Sequence, residues 1–320
     1  MDEDRTALPV SIIDENLKLL DSEASSAVER RLAQLSDLAN YISGNSSMLL
    51  DPDDRMGGLD GLFTRGVIPS EAVDEAVPYL EAYYSSQMLS DKLTVCKFLA
   101  DRLGWRNDFR LASLLGADSD GFVPLGKDPK IAYLKNAFAD DAFLAFSKLL
   151  GNPSVDYQSD FQSVCEEVYY GRADMCILPL DSSRDAKLVG FCRLIDKYEL
   201  KIVLSCDVTS NDGGVTTRYA LLRKTLTFPD ELPAICDARF LELSFVPTDG
   251  ITLADVLTAA SRFGLDLYKV DAIPLTYVDN EFSYDVILHC PDRAVEPFAL
   301  FMALAAPQYS TLGVYAHIKS

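Results

Sequence analysis

RFLELSFV (239–246), LADVLTAASRFG (253–264), LYKVDAIPLTY (267–277), EFSYDVILHC (281–290), EPFALFMALAA (296–306) and TLGVYAHI (311–318) follow one another in the last third of the chain. Leu241, Leu243 and Phe245 alternate, which is the period of a strand, whereas LADVLTAASRFG spaces its apolar residues three and four apart, the period of a helix. The six segments therefore predict strand, helix, strand, strand, helix, strand. Two β-α-β units in that order make a ferredoxin-like βαββαβ sandwich.

Upstream, strands and helices alternate differently. IAYL (131–134), a helix through AFLAFSKLLG, Val155-Asp156-Tyr157, a helix through FQSVCEEVYYG and the apolar run from Met175 to Pro179 predict an α/β unit with a largely parallel sheet. It continues through FCRLIDKY, Leu200 to Ser205, a loop with Asn211-Asp212-Gly213-Gly214, and a strand from Thr217 to Leu222. Nearer the start, Leu17, Leu20, Val28, Leu32, Leu35, Leu38 and Ile42 recur at helical steps and Gly44-Asn45 provides a stop, so residues 11–45 read as helix. The polar turn DPDDRMGG follows, and Ser70 with Glu71, Asp74 and Glu75 opens a further helical block running to about Leu103. Residues 104–128 break the periodicity. Three domains result: all-helical over 1–115, α/β over 128–227 and α+β over 236–320.

Composition narrows the function. The formal net charge of −20 opposes nucleic-acid binding, which rests on lysine and arginine neutralising phosphates. No apolar run is long enough to cross a bilayer, and MDEDRTALPV is acidic where a secretory signal is basic, so the expectation is a cytoplasmic chain without a membrane partner. Seven cysteines without CxxC spacing read as core thiols. With His289 and His317 as the two histidines, zinc sites and Ser-His-Asp chemistry have little material, and both read as strand residues. No metal or cofactor is expected.

Tyr133-Leu134 with Phe138 and Ala142, then Gly171-Arg172-Ala173-Asp174, then Pro179-Leu180-Asp181-Ser182-Ser183, then Thr217-Arg218-Tyr219 resemble, in order, the YLGPxGTFS, GxAD, PIENS and TRF motifs of prephenate dehydratases. With helices before and a βαββαβ unit after, the chain resembles bifunctional chorismate mutase–prephenate dehydratase with a C-terminal ACT regulatory domain. The resemblance implies that Thr217 serves a leaving hydroxyl, Arg218 a substrate carboxylate, and Asp181, Ser182 and Ser183 the same site. Glu29-Arg30, Asp51-Pro52 through Arg55, and Gly66-Val67-Ile68-Pro69 are similar to chorismate mutase motifs, which makes Arg30, Asp51 and Arg55 the mutase-like candidates. Asp249-Gly250-Ile251-Thr252-Leu253 and Asp271-Ala272-Ile273-Pro274 stand where ACT domains carry their phenylalanine-binding signatures, implying ligand contacts from Asp249, Gly250, Leu253, Asp271 and Pro274.

Departures from those motifs bear on activity. LKNAFADD (134–141) lacks both glycines of the family loop, and an amide nest for a carboxylate needs glycine-permissive backbone angles. Leu200 to Thr217 is also too short for the family's second α/β lobe. Two local readings of Thr217-Arg218-Tyr219 stay open: a substrate clamp, or the start of a strand with Arg218 capped by a local acid. Three functions stay open as well: a catalytically impaired relative that binds a metabolite or regulates aromatic amino-acid metabolism, an active dehydratase or mutase of phenylalanine biosynthesis, and a structural interaction protein. A homodimer is expected in each, because helices of the mutase type complete their core with a second chain and an ACT-like unit offers another isologous surface.

Overall fold

Strand-forming segments of the middle and last thirds of the chain join one mixed sheet in the computed structural model. It describes residues 10–44, 88–103, 115, 123–210, 213–227, 238–248, 250–275, 282–290, 295–306 and 309–318. Helix α1 covers Val10–Gly44 and α2 covers Leu89–Leu103. Leu35 and Ala39 of α1 are buried with Leu93 and Cys96 of α2, while Leu17, Leu20, Val28 and Leu32 continue the same stripe in exposed positions. The DPDDRMGG turn, with Asp51 and Arg55, lies outside the described residues.

The α/β part runs β1 (Lys130–Leu134), α3 (Ala137–Leu150), β2 (Ser154–Gln158), α4 (Phe161–Tyr169), β3 (Met175–Ser182), β4 (Ala186–Lys187), α5 (Val189–Lys197), β5 (Lys201–Thr209) and β6 (Thr216–Arg223). β1 is parallel to both β2 and β3, but β6 lies antiparallel between β3 and β5, so the sheet is mixed rather than largely parallel. The connection from Thr209 to Thr216 dictates this. A hairpin-length loop can join only antiparallel neighbours, whereas a parallel pair needs a crossover of roughly a dozen residues or more. Among the described residues, 130–223 form a single α/β lobe.

The last third supplies β7 (Ala238–Phe245), α6 (Leu253–Arg262), β8 (Asp266–Pro274), β9 (Phe282–His289), α7 (Val295–Ala305) and β10 (Ser310–Ile318). The order is β10-β7-β9-β8 with every pair antiparallel, and β10 also pairs in parallel with β5. The strands flanking the expected 227–236 boundary thus share one sheet, ordered β2-β1-β3-β6-β5-β10-β7-β9-β8. One face is covered by α3 and then by α6 and α7, which α1 and α2 back; the other is covered by α4 and α5. Phe240, Ile287 and Tyr315 carry that second core across the joint. Among the described residues no helix is long and apolar enough to cross a membrane.

Where β10 meets β5, Gly313 stands opposite Ile202 and the register shifts. A Cβ there would collide with the Ile202 carbonyl oxygen, so any side chain must push the strands apart. Gly313→Ala should destabilise the chain by about 1–3 kcal/mol, the usual cost of overpacking a rigid site. Gly190→Ala, in α5 with nothing within 4 Å, should be neutral or stabilise it. Urea denaturation midpoints of the two variants check this, and equal shifts would mean that the strands are not in close contact at Gly313.

Candidate functional site

Antiparallel pairing of β3 with β6 sets Asp181 opposite Arg218 and Ser182 opposite Thr217, so two motifs 35 residues apart become cross-strand neighbours. Arg218 is 9% exposed and already committed. Its Nε donates to Asp207 Oδ1 at 2.9 Å, its Nη2 to Asp207 Oδ2 at 3.3 Å and to the Tyr268 hydroxyl at 2.9 Å. The guanidinium also lies 5.3 Å from the Tyr268 ring centroid. Burial works against its charge, but the bonds to Asp207 and Tyr268 outweigh burial and hold its pKa above the ordinary guanidinium value. Of the two local readings, the arginine capped by a nearby acid describes this geometry. Asp181 lies 3.6 Å from Lys269 Nζ, Ser182 Oγ accepts from the Arg184 amide, and Ser183 Oγ accepts from the Thr216 amide.

The segment that replaces the glycine-rich loop closes on itself. Asn136 takes extended backbone angles as the N-cap of α3, its Oδ1 accepting from the Ala139 amide and its Nδ2 donating to the Leu134 carbonyl. The Tyr133 hydroxyl donates to Asp140 at 2.9 Å. The Asn136 side chain therefore satisfies one of the orphan amides at the start of α3.

The densest polar cluster was not legible as a motif. Lys187 of β4, 10% exposed at its side chain, reaches across the joint to Glu242 of β7 at 2.9 Å and Asp285 of β9 at 3.0 Å, with Asp271 of β8 at 3.9 Å. Lys269 of β8 reaches back to Asp181 and pairs with Asp271 at 3.1 Å. Tyr315 of β10 donates to Glu242 at 2.9 Å. Burial alone would lower the pKa of Lys187, but Glu242 and Asp285 raise it well above the usual lysine value. Burial holds Asp285 above the ordinary carboxylate range against the pull of Lys187. This is an electrostatic joint between the two parts of the sheet.

His317 also joins them. Its Nδ1 lies 2.9 Å from Ser205 Oγ and its Nε2 3.6 Å from Asp207 Oδ2. Ser205 has no exposed surface, so this Ser-His-Asp grouping presents no nucleophile to a substrate. His317 and His289 are strand residues, on β10 and β9.

Of the other candidates, Asp271 reaches the neighbourhood of Arg218 through Lys269, which it shares with Asp181; the rest do not converge there. Arg30 is exposed and its Nε donates to the Ser26 carbonyl one turn back; the neighbouring Arg31 instead binds Asp91 of α2. Gly250 lies in the turn closed by the Thr248–Ile251 bridge, Leu253 packs on the helical-side core behind the capping box of Thr252 and Asp255, and Asp249 lies outside the described residues. Asp271 sits on the opposite face of the sheet with Lys187 and Lys269, and Pro274 ends β8 opposite Phe282. Among the described residues no group of three or more His, Cys, Asp or Glu side chains could hold a metal ion.

No family model matches the chain, and no curated protein does. Solved structures include prephenate dehydratases among its neighbours. That of Streptococcus mutans is 19% identical, with 59% of this chain and 98% of that chain covered at a TM-score of 0.49. GqqA, described as a novel type of quorum quenching acylase, is 18% identical over 58% and 94% at 0.44. The prephenate dehydratase of Arthrobacter aurescens, solved with L-Phe, is 12% identical over 58% and 90% at 0.45. At this level the likeness assigns no residue and no activity to this chain.

Lys187→Met should cost about 3–5 kcal/mol near neutral pH, because it leaves Glu242 and Asp285 buried without their cation. The cost should shrink in acid. A carboxyl group whose folded pKa is raised stabilises the fold fully below its unfolded value of about 3.9, and that contribution is lost as pH rises through the folded value. Removing Lys187 raises the folded value of Asp285 further, so the variant should lose stability more steeply than the parent between about pH 4.5 and 7.5. Urea midpoints at both pH values give the test; a difference independent of pH would show that Lys187 does not compensate these acids.

Proposed function

We propose that the chain is a one-lobed relative of prephenate dehydratase that binds a metabolite of aromatic amino-acid metabolism in a regulatory role and does not dehydrate prephenate. The observation that carries this reading is Arg218. The cation that the motif resemblance would assign to a substrate carboxylate is held at two points by Asp207 and at a third by Tyr268. Asp181 and Asn136 are similarly engaged, with Lys269 and the start of α3. Dehydration of prephenate expels hydroxide and carbon dioxide together, which requires a fixed carboxylate, a proton donor at the hydroxyl and exclusion of water. Thr217 is half-buried beside a lobe with no facing lobe among the described residues. Proximity and orientation supply about 7–11 kcal/mol in organised sites, and a half-site forfeits much of it.

Purified protein should therefore convert prephenate to phenylpyruvate no faster than buffer, followed by phenylpyruvate absorbance, and Thr217→Ala should leave the trace unchanged. A rate above buffer that disappears in Thr217→Ala would restore the dehydratase reading.

We infer a homodimer as the working form. The exposed stripe of Leu17, Leu20, Val28 and Leu32 supports it, because it continues the face that α2 buries. Light scattering at micromolar concentration should give twice the chain mass, and a strictly monomeric mass would remove this inference.

A further inference from the structure

Beneath the α/β lobe, at the opposite end of β3 and β6 from Asp181 and Arg218, lies a cavity of about 380 Å³. Its walls come from the Val123–Pro129 segment, the turn that ends α4, the start of β3 and the residues after Leu222. Val168, Met175 and Pro124 give it apolar sides. Gly126 and Gly171 are part of its lining, and a Cβ built at either glycine meets nothing within 4 Å.

Its charges are unequally committed. Asp128 accepts from the Asn152 amide at 2.7 Å, and Asp174 from the Lys130 amide at 2.7 Å, so both lining carboxylates are held by backbone donors. Arg223, 5% exposed, donates to the carbonyls of Thr225, Pro124 and Leu226 at 2.9–3.0 Å and also to that of Val123. It fixes the wall and adds positive potential. Lys127 and Lys224 line the cavity on exposed side chains, Lys224 resting 4.4 Å from the centroid of Tyr169. Beside it Tyr169 meets Tyr170 edge-on, and Arg172 lies 5.0 Å from the Tyr170 centroid. In a chain of net charge −20, three lining cations, Lys127, Arg223 and Lys224, thus outnumber the two lining carboxylates, Asp128 and Asp174, at one concave, partly apolar place.

We propose that this cavity is a binding site for a small organic oxyanion, a carboxylate or phosphate ester on a compact apolar body. Lys127 and Lys224 receive the charged head, and the body rests on Pro124 with Val168 and Met175 behind it. Concave sites with apolar walls and a few converging polar groups are where small molecules bind. The site is independent of Arg218 and of prephenate chemistry.

Calorimetric titration of the full chain with benzoate, with phenyl phosphate and with neutral benzyl alcohol tests the assignment. Saturable binding of at least one anion is expected, and the anion that binds identifies the head group. Lys127→Gln with Lys224→Gln should weaken it about tenfold or more, as loss of charged hydrogen-bond donors does. Gly126→Leu should abolish it by filling the cavity, with an unchanged urea midpoint because the added side chain enters open space. If Gly126→Leu fails to fold, the lysine pair decides alone. No saturable binding of either anion, undiminished binding by the lysine variant, or equal affinity for benzyl alcohol would overturn the proposal.

Discussion

Strand β10 is hydrogen-bonded along both edges, parallel to β5 and antiparallel to β7, and the arrangement of the two sheet regions depends on it. Strands β10, β7, β9 and β8 pair antiparallel in that order. Here the outer edge of β10 is spent on β5, at a separation that only a residue without Cβ permits at Gly313. Pairing that edge also removes a row of unpaired backbone groups that would otherwise invite association. The same contact brings His317 to Ser205 and places Glu242 within reach of Lys187.

Because the two regions share a sheet, their polar faces had to be reconciled. Glu242, Asp285 and Asp271 arise on three strands of one region, and Lys187 arrives from the short β3–β4 hairpin of the other. A buried ion cluster of this kind contributes little net stability, since desolvation offsets attraction, but breaking it is expensive. Its effect is therefore to specify how the regions meet. Arg218, Asp207 and Tyr268 act likewise: a β6 cation is held by a β5 acid and a β8 hydroxyl, and a side chain suited to gripping a ligand instead grips the protein.

The two ends of the α/β lobe consequently differ in chemistry. At the carboxyl end of β3, the charged groups are engaged with one another across the joint. At its amino end the acids are engaged by backbone amides, and Lys127 and Lys224 stand at an open cavity.

Local periodicity determined most of the elements. Helix α1 follows the spacing from Leu17 to Ile42, β7 the alternation from Leu241 to Phe245, and the succession of strands and helices in the last third is the one read from the residues. Such patterns are legible because burial of one face of one segment is a short-range property. Strand neighbours are not: the antiparallel insertion of β6, the β5–β10 pairing and the use of Arg31 rather than Arg30 toward α2 depend on partners far away in the chain. The motif at Thr217-Arg218 was visible in sequence, but whether its cation was free or capped depended on Asp207 and Tyr268, 11 and 50 residues away. Lys187 carried no signal, because an isolated lysine reads as surface until the fold places three carboxylates around it. Sequence by itself thus determined which segments are helix or strand and which side chains could carry charge chemistry; the tertiary structure decided which charges neutralise one another, because Coulomb attraction and desolvation act on distances in space rather than along the chain.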